Sequence, residues 1–290
     1  MYNFLALLSG LAISVMVSIN GNLSQKFGVF WATVIVHAVG TGFAFLLCKI
    51  KKDSIPGKLF RPRWIYIGGA IGVLTVVFNN LAYGHISMTS IIALGLLGQT
   101  AASLVIDSFG LFGMEKCPFR KSVYIGLAFS AAGIAVMMDQ TVTMAVYAVI
   151  FSFLSGITVV LSRTVNARLA QNIGEMQSSF VNHLVGLFVS VFAALLMMRI
   201  IPAGPPDFQS TRPWMYVGGM LGVTAVYLCN IIVPRLPAFR LTLLTFVAQV
   251  FTGIVIDLFV MNTYSKATFT GGVIVACGMA LNLLVDKLRS

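Results

Sequence analysis

The chain has 290 residues, of which 58% are hydrophobic and only 9% are charged, and its formal net charge is +11. So little charge excludes a soluble globular domain of this length, which needs far more charged side chains to cover its surface. The basic residues lie between hydrophobic blocks, which argues against a nucleic-acid-binding surface and indicates membrane topology instead. The four cysteines lack metal-ligand spacing and are interpreted as small packing residues.

The apolar residues form blocks of about 20, long enough for a helix to cross a bilayer. They do not alternate with polar residues, which argues against the strands of a membrane barrel. We therefore predict an all-α membrane protein with ten transmembrane helices, the first of which is retained rather than cleaved as a signal peptide. The predicted spans lie near residues 3–23, 29–48, 64–83, 89–112, 122–139, 144–168, 176–201, 214–233, 239–261 and 268–287.

One apolar segment, with the same few polar residues, occurs twice. "SGLAISVMVSINGNLSQKFG" begins at Ser9 and "SGITVVLSRTVNARLAQNIG" begins at Ser155, so matching residues are 146 positions apart. The correspondence continues along the chain, and its spacing changes only in loops. Later matches are His37 with His183, Trp64 with Trp214, Asn80 with Asn230, Gln99 with Gln249, and Asp107 with Asp257. This ordered series indicates an internal duplication, with one five-helix repeat in residues 1–142 and a second in residues 143–290.

Each repeat has five spans, and five is an odd number. The two repeats therefore enter the membrane with opposite orientations, related by a pseudo-two-fold axis in the membrane plane. If the N-terminus is cytoplasmic, 14 basic residues lie on the cytoplasmic side of the membrane and four lie outside. Because basic residues are enriched in cytoplasmic loops, this distribution predicts that both termini are cytoplasmic.

Polar residues inside the predicted spans are the candidates for a functional site, because a polar group in hydrocarbon is costly. Gln99 and Gln249 lie near the middle of their spans, the depth at which inverted-repeat transporters bind their substrates. The alternative is that these amides hydrogen-bond neighbouring helices. The candidates for substrate contact are Asn20, Asn80, Gln99, Arg163, Asn166, Asn230 and Gln249.

Charged residues inside the spans have two interpretations each. Asp107 and Asp257 are candidates for paired gates or for proton coupling; the alternative is an acid at a helix end, bonded to nearby hydroxyl or backbone groups. Arg163 replaces Val17 of the first repeat. Its side chain either extends to the membrane interface or is a permanent cation that faces an anionic group of the substrate.

Histidine and glycine residues are interpreted mainly as packing residues. His37 and His183 are expected to pack with a hydrogen bond rather than to relay protons. Gly21 leaves open a break in the first helix, because glycine between two asparagines weakens it. Glycines four residues apart allow close contact between helices, and these are Gly68, Gly72, Gly218 and Gly222.

The segments "SINGNLSQKFG" in the first span and "GQTAASLVIDSFGLFG" in the fourth resemble the YdcZ-type family of the drug/metabolite transporter superfamily, in its fused ten-span form. The resemblance covers essentially the whole chain. It implies a basket of ten helices around a central cavity and an exporter of small molecules in the bacterial inner membrane. The residues that carry the family pattern are Asn20, Gly21, Asn22, Gln25, Gln99 and Asp107. The second repeat has "VNAR" in place of "INGN", which argues against a fully symmetric site.

We predict a secondary transporter, an exporter of small polar or amphipathic metabolites that works by alternating access around a midplane cavity. The sequence contains no metalloenzyme motif, nucleophile elbow or phosphate loop, so we expect no enzymatic activity, cofactor or bound metal. The expected partners are a small-molecule substrate and membrane lipid, not nucleic acid; coupling to a proton or another ion and a homodimer are left open. The competing function is a non-transporting scaffold or accessory subunit of a membrane complex.

Overall fold

The structure is a computed structural model that describes residues 1–52, 61–86, 88–117, 121–137, 146–198, 211–259 and 266–289. Within these residues there are ten α-helices and no β-strand. The helices are α1 (Tyr2–Phe27), α2 (Val29–Ile50), α3 (Gly68–Ala82), α4 (Met88–Phe109), α5 (Lys121–Met137), α6 (Val146–Ile173), α7 (Glu175–Met198), α8 (Val217–Ile232), α9 (Ala238–Phe259) and α10 (Lys266–Arg289). The prediction of an all-α membrane protein with ten helices is confirmed.

Eight helical segments of the described chain are long and apolar enough to cross a membrane. Two further apolar stretches are shorter, Tyr124–Val136 in α5 and Phe269–Gly278 in α10. Large apolar side chains such as Phe4, Phe188 and Phe192 lie exposed on the outer surface. Exposed apolar side chains are expected on helices whose outer faces contact lipid. The backbone of such a helix is also compatible with lipid, because its polar groups are hydrogen-bonded within the helix.

The first helix of each repeat is longer than predicted. α1 continues to Phe27 rather than to residue 23, and α6 continues to Ile173 rather than to residue 168. Each helix then stops at a glycine with positive φ, 75° at Gly28 and 97° at Gly174, a conformation that glycine adopts without strain. The added turns contain polar residues, and for this reason the hydrophobic blocks do not reveal them.

The break that "SINGN" left open in the first span does not occur. α1 is continuous from Tyr2 to Phe27. Gly21 lies against the ring of Tyr83, which a Cβ at this position would overlap. The amide of Asn22 donates to the Ser18 carbonyl one turn earlier, at 2.9 Å, so it is bonded within the helix. The glycine therefore leaves room for a neighbouring aromatic ring, and it does not interrupt the helix.

Helices of the first half pack mainly against helices of the second half. The principal pairs are α5 with α10, α4 with α6, α9 with α1, α2 with α7, α3 with α6, and α8 with α1. Each helix has a counterpart five places along the chain, so that α1 corresponds to α6 and α2 to α7. When every helix is replaced by its counterpart, the same set of pairs results. The packing thus has the pattern expected of a duplication, while the opposite orientation of the repeats in the membrane stays a prediction. The predicted boundary between the repeats, at residues 142 and 143, lies outside the described residues.

Glycines allow the closest helix contacts, although not at all the predicted positions. Gly69 of α3 lies against the backbone of α7, where a Cβ would overlap the Asn182 carbonyl, and Gly219 of α8 lies in the same way against the backbone of α2. Gly68 and Gly218, which were predicted for this role, instead make room for side-chain amides. Close backbone approach matters here because helices in lipid associate through van der Waals packing rather than through the hydrophobic effect.

The contact between α4 and α6 provides a test of this packing. A Cβ at Gly156 would overlap the Gly95 carbonyl oxygen, whereas a Cβ at Gly42, in the middle of α2, meets nothing within 4 Å. We expect Gly156→Ala to lower the free energy of unfolding by about 1–3 kcal/mol, because the two backbones must separate. Gly42→Ala is the matched control and should leave stability unchanged or raise it by up to about 1 kcal/mol. Thermal unfolding of the detergent-purified protein measures both, and equal midpoints would contradict the packing.

Candidate functional site

A cavity of about 130 Å³ lies between the two halves of the chain, lined by residues of α1, α2, α3, α6, α7 and α8. A cavity of about 150 Å³ in another protein binds benzene, so this one has room for a small molecule or for one end of a larger one. Of its 19 lining residues, 18 form nine pairs of equivalent repeat positions, and the other is Asn166. The pairs are Ile13 with Val159, Met16 with Ser162, Val17 with Arg163, Val36 with Asn182, His37 with His183, Gly72 with Gly222, Thr75 with Ala225, Val76 with Val226, and Asn79 with Cys229.

The two sides of the cavity differ in polarity. In five of the nine pairs one member is polar and the other apolar. The polar members belong to α3, α6 and α7, and they are Thr75, Asn79, Ser162, Arg163 and Asn182. Their counterparts belong to α1, α2 and α8, and they are Met16, Val17, Val36, Ala225 and Cys229. Because the helices of each set contact one another, the cavity has a polar wall (α3, α6, α7) and an apolar wall (α1, α2, α8), in which His37 is the one polar side chain among the lining residues.

Hydrogen bonds hold the side chains of the polar wall in place. The Nδ2 atom of Asn166 donates to Asn182 Oδ1 at 2.7 Å and to Ser162 Oγ at 3.2 Å. The Ser162 hydroxyl donates in turn to the Gly68 carbonyl at 2.9 Å. Asn166 Oδ1 lies against Gly68, where a Cβ would overlap it. The predicted site residue Asn166 therefore lies at the cavity, oriented by two neighbours that were not predicted.

Asn20 occupies the equivalent position in the first half but does not line the cavity. Its side chain is buried, and its Oδ1 lies against Gly218 with no hydrogen-bond partner in the described part of the chain. The counterparts of Ser162 and Asn182 are Met16 and Val36, which offer no acceptor. The amide network of the polar wall is therefore not repeated on the apolar wall.

Arg163 is buried in the polar wall, and the expectation that it extends to the membrane interface is wrong. Its Nη2 atom donates to the Ala238 carbonyl at 3.1 Å, to Thr242 Oγ1 at 2.6 Å and to Ser103 Oγ at 3.4 Å. Because α6 continues to Ile173, Arg163 lies roughly 15 Å from the helix end along its axis. The predicted end at residue 168 is five residues too early, and this error places the side chain too close to the interface.

His37 and His183 face each other across the cavity, with their ring centroids 6.0 Å apart. Each Nδ1 lies close to the main-chain carbonyl oxygen one turn earlier in its own helix, at 2.9 Å for His37 and 2.8 Å for His183. Because a carbonyl oxygen only accepts, Nδ1 is the donor in each of these two contacts. The expected hydrogen bonds are present, and both rings also line the cavity, a position that the sequence did not reveal.

The two glutamines are buried, but they lie outside the cavity lining. The main-chain nitrogen of Gln99 lies beside Gly156, in the contact between α4 and α6. The main-chain carbonyl of Gln249 accepts from Ser14 Oγ at 3.2 Å, in the contact between α1 and α9. Both glutamines therefore lie where helices join, and the contacts described there are made by their main-chain atoms, so a bond from either side-chain amide to a neighbouring helix stays a prediction.

Asn80 and Asn230 are also buried outside the cavity lining. Asn230 Nδ2 donates to the Glu175 carbonyl at the start of α7, at 2.9 Å. Asn80 Nδ2 has no partner among the described residues. The preceding residue, Asn79, does line the cavity, and its Oδ1 accepts from Ser155 Oγ at 2.9 Å. Adjacent helical residues point in directions about 100° apart, so only one of the two asparagines faces the cavity.

Asp107 binds the start of α9. Its Oδ1 accepts the N–H of Ala238 and its Oδ2 accepts the N–H of Phe239, both at 2.9 Å. The N–H groups of a first helical turn have no partner within the helix, and negative charge is favourable there. This geometry matches the helix-end alternative for Asp107. Asp257 lies in α9, but its side chain lies outside the described part of the chain.

Comparison with known proteins identifies the chain. Residues 1–136 and 147–283 match the family described as "Putative inner membrane exporter, YdcZ". The chain belongs to the YdcZ family. The resemblance found in the sequence is confirmed, and the two matched segments correspond to α1–α5 and α6–α10.

The fold of this YdcZ-family chain is also found among solved structures. One, described only as "Crystal structure of protein", aligns with 98% of this chain and 96% of its own, with a TM-score of 0.71 and 17% sequence identity. An identity this low supports the fold and nothing further. No curated protein matches the chain.

Several cavity residues of this YdcZ-family chain were not predicted. They include Thr75, Ser162 and Asn182. Each stands at a position where one repeat has a polar residue and the other an apolar one. Differences in polarity between the repeats, rather than identical polar residues, are therefore the sequence signal for all three. Arg163, which stands opposite Val17, carries the same signal.

The bond between Asp107 and α9 provides a test. We expect Asp107→Asn to lower the free energy of unfolding by about 1–2 kcal/mol, because an amide supplies only one acceptor oxygen and carries no charge. Glu115→Gln is the control, since Glu115 is an exposed acid after α4 and should change stability by less than about 0.5 kcal/mol. Thermal unfolding in detergent measures both. A wild-type midpoint for Asp107→Asn would show that the carboxylate does not stabilise the start of α9.

Proposed function

We propose that this chain is a secondary transporter that exports small polar or amphipathic metabolites by alternating access. The observation that carries the proposal is the cavity lined by nine pairs of equivalent residues from the two halves. In transporters built from two repeats of opposite orientation, one half rocks against the other around a site at the repeat interface. A cavity that draws nine lining residues from the first half and ten from the second supports this mechanism.

The contrast between the two walls supports the substrate class. Binding pockets for small molecules are mostly apolar, with a few polar groups that fix the orientation of the ligand. Here most of the polar side chains lie together on α3, α6 and α7, and the side facing them is apolar apart from His37. A solute with one polar and one apolar end fits this arrangement better than one that is polar throughout.

We further propose that both termini face the cytoplasm and that an ion gradient drives export. The first point rests on the excess of basic residues that this orientation places in cytoplasmic loops. The second rests on the absence of a phosphate loop from the sequence, because uphill transport then needs an ion gradient or a partner protein.

Cys229 allows a test that needs no knowledge of the substrate, because it lines the apolar wall. We replace Cys48, Cys117 and Cys277 with serine, so that Cys229 is the only thiol. In alternating access the cavity opens to each side of the membrane in turn, and water then enters it. A thiol reacts with maleimide only where it is ionised and accessible, so Cys229 becomes reactive when the cavity is open. We therefore expect a membrane-impermeant maleimide to label Cys229 both in intact spheroplasts and in inside-out membrane vesicles.

The matched control keeps only Cys48, which is buried in a cluster with Ala44, Met176 and Val223 away from the cavity. This thiol should remain unlabelled from either side. Labelling of Cys229 from one side only, or from neither, would contradict alternating access. Absence of labelling together with co-purification of a membrane complex would favour the scaffold function instead.

A further inference from the structure

Arg163 brings a permanent charge into the cavity, and this charge is incompletely compensated. The side chain is only 6% exposed. Its acceptors in the described part of the chain are two hydroxyl groups and one main-chain carbonyl, all neutral, and all three bind the same atom, Nη2. The Nε atom is buried without a partner, and no described residue accepts a hydrogen bond from Nη1. A buried ion costs several kcal/mol unless a counter-charge and further hydrogen bonds compensate for it.

Asp107 lies close enough to interact electrostatically with Arg163, but it does not provide the missing hydrogen-bond partner. Its two carboxylate oxygens accept the N–H groups of Ala238 and Phe239, and it is not among the acceptors of Arg163. Ala238 connects the two charges, because its N–H donates to Asp107 while its carbonyl accepts from Arg163. The carboxylate is therefore committed to the start of α9, and the remaining donors of the guanidinium stay open.

The three bonds to neutral acceptors do not compensate the charge of Arg163, but they do fix the position of its guanidinium group. An arginine fork is planar, so anchoring Nη2 on α4 and α9 orients the other N–H groups as well. A preorganised guanidinium binds a carboxylate through two parallel hydrogen bonds, which are stronger than bonds between neutral groups. The repeat partner of Arg163 is Val17, so the opposite wall offers an aliphatic surface where this wall offers a cation.

We propose that Arg163 binds an anionic group of the transported solute, and that the substrates are small amphipathic organic anions such as monocarboxylates. This inference rests on the proposed transport function and adds the charge of its substrate. The carboxylate lies on the polar wall, and the apolar part of the solute lies against Met16, Val17 and Val36. A permanent cation in a cavity of about 130 Å³ also disfavours cationic solutes, because like charges at short range repel strongly where water is scarce.

Three probes of the same shape test the charge preference on the full chain in detergent. Benzoate, benzamide and benzamidine share a ring and a planar end group, and they carry a negative charge, no charge and a positive charge. In chloride-free buffer we expect benzoate to raise the thermal unfolding midpoint in a concentration-dependent manner, because a ligand stabilises the folded state that binds it. Benzamide and benzamidine should leave the midpoint unchanged. A separate chloride titration distinguishes an organic anion from a simple inorganic one.

Two arginine variants assign the effect to one side chain. Arg163→Gln removes the fork and should weaken benzoate binding roughly 10- to 100-fold. Arg168→Gln is the control, since it removes the same charge from the exposed side of α6, where the side chain of Arg168 hydrogen-bonds only Gln171 among the described residues. Its benzoate binding should match that of the unsubstituted chain. If Arg163→Gln shows no unfolding transition, Arg163→Lys replaces it and should keep the preference for benzoate over benzamidine with weaker affinity.

The proposal is wrong if benzoate does not stabilise the chain, if benzamide or benzamidine stabilises it equally, or if chloride alone gives the same stabilisation. It is also wrong if Arg163→Gln binds benzoate as tightly as the unsubstituted chain does, or if Arg163→Lys shows no preference between benzoate and benzamidine. The labelling of Cys229 requires no ligand, so the two proposals fail separately. Two-sided labelling without benzoate binding retains alternating access and removes the anionic substrate. Benzoate binding with one-sided labelling retains an anion-binding cavity and removes alternating access.

Discussion

Hydrocarbon offers no hydrogen-bonding partner to a polar side chain, and this constraint accounts for much of the arrangement described above. The amide of Asn166 is bonded to Ser162 and Asn182, and the carboxylate of Asp107 is bonded to the first turn of α9. Among the buried polar atoms without a partner in the described part of the chain, Arg163 Nε and Asn166 Oδ1 belong to residues that line the cavity. Others, such as Thr100 Oγ1 and Ser130 Oγ, belong to residues outside the lining.

The predicted duplication accounts for the symmetry of the cavity, and differences between the two repeats account for the contrast between its walls. At nine pairs of positions the two halves contribute equivalent lining residues. In the five pairs that differ in polarity, the polar residue always falls on α3, α6 or α7. These helices come from both halves of the chain, yet they are neighbours in space. Divergence has thus followed the three-dimensional grouping of the helices and not the boundary between the repeats, as expected if selection acts on the contents of the cavity.

The number of helices and the duplication could be predicted because both are recorded in patterns that run along the chain. Hydrophobic blocks report where a helix lies in the bilayer, and repeated residues report which helices are equivalent. Neither pattern reports which way a side chain points around its helix. Asn79 and Asn80 are adjacent, and only Asn79 lines the cavity; Gln99 and Gln249 lie at the expected depth but at helix contacts. The depth of Arg163 was misjudged for a different reason, because the polar residues that lengthen α6 resemble a loop in composition.

The paired contacts of His37 with Gly186 and of His183 with Gly40 have a consequence for how the protein is made. Each imidazole fills a notch that a glycine leaves in the facing helix, and the two members of each contact belong to different halves of the chain. When α2 has been inserted into the bilayer, α7 has not yet been synthesised. At that stage Gly40 lacks its contact with His183, and His37 lacks its contact with Gly186. The two contacts at the centre of the molecule can therefore form only after α7 has been inserted.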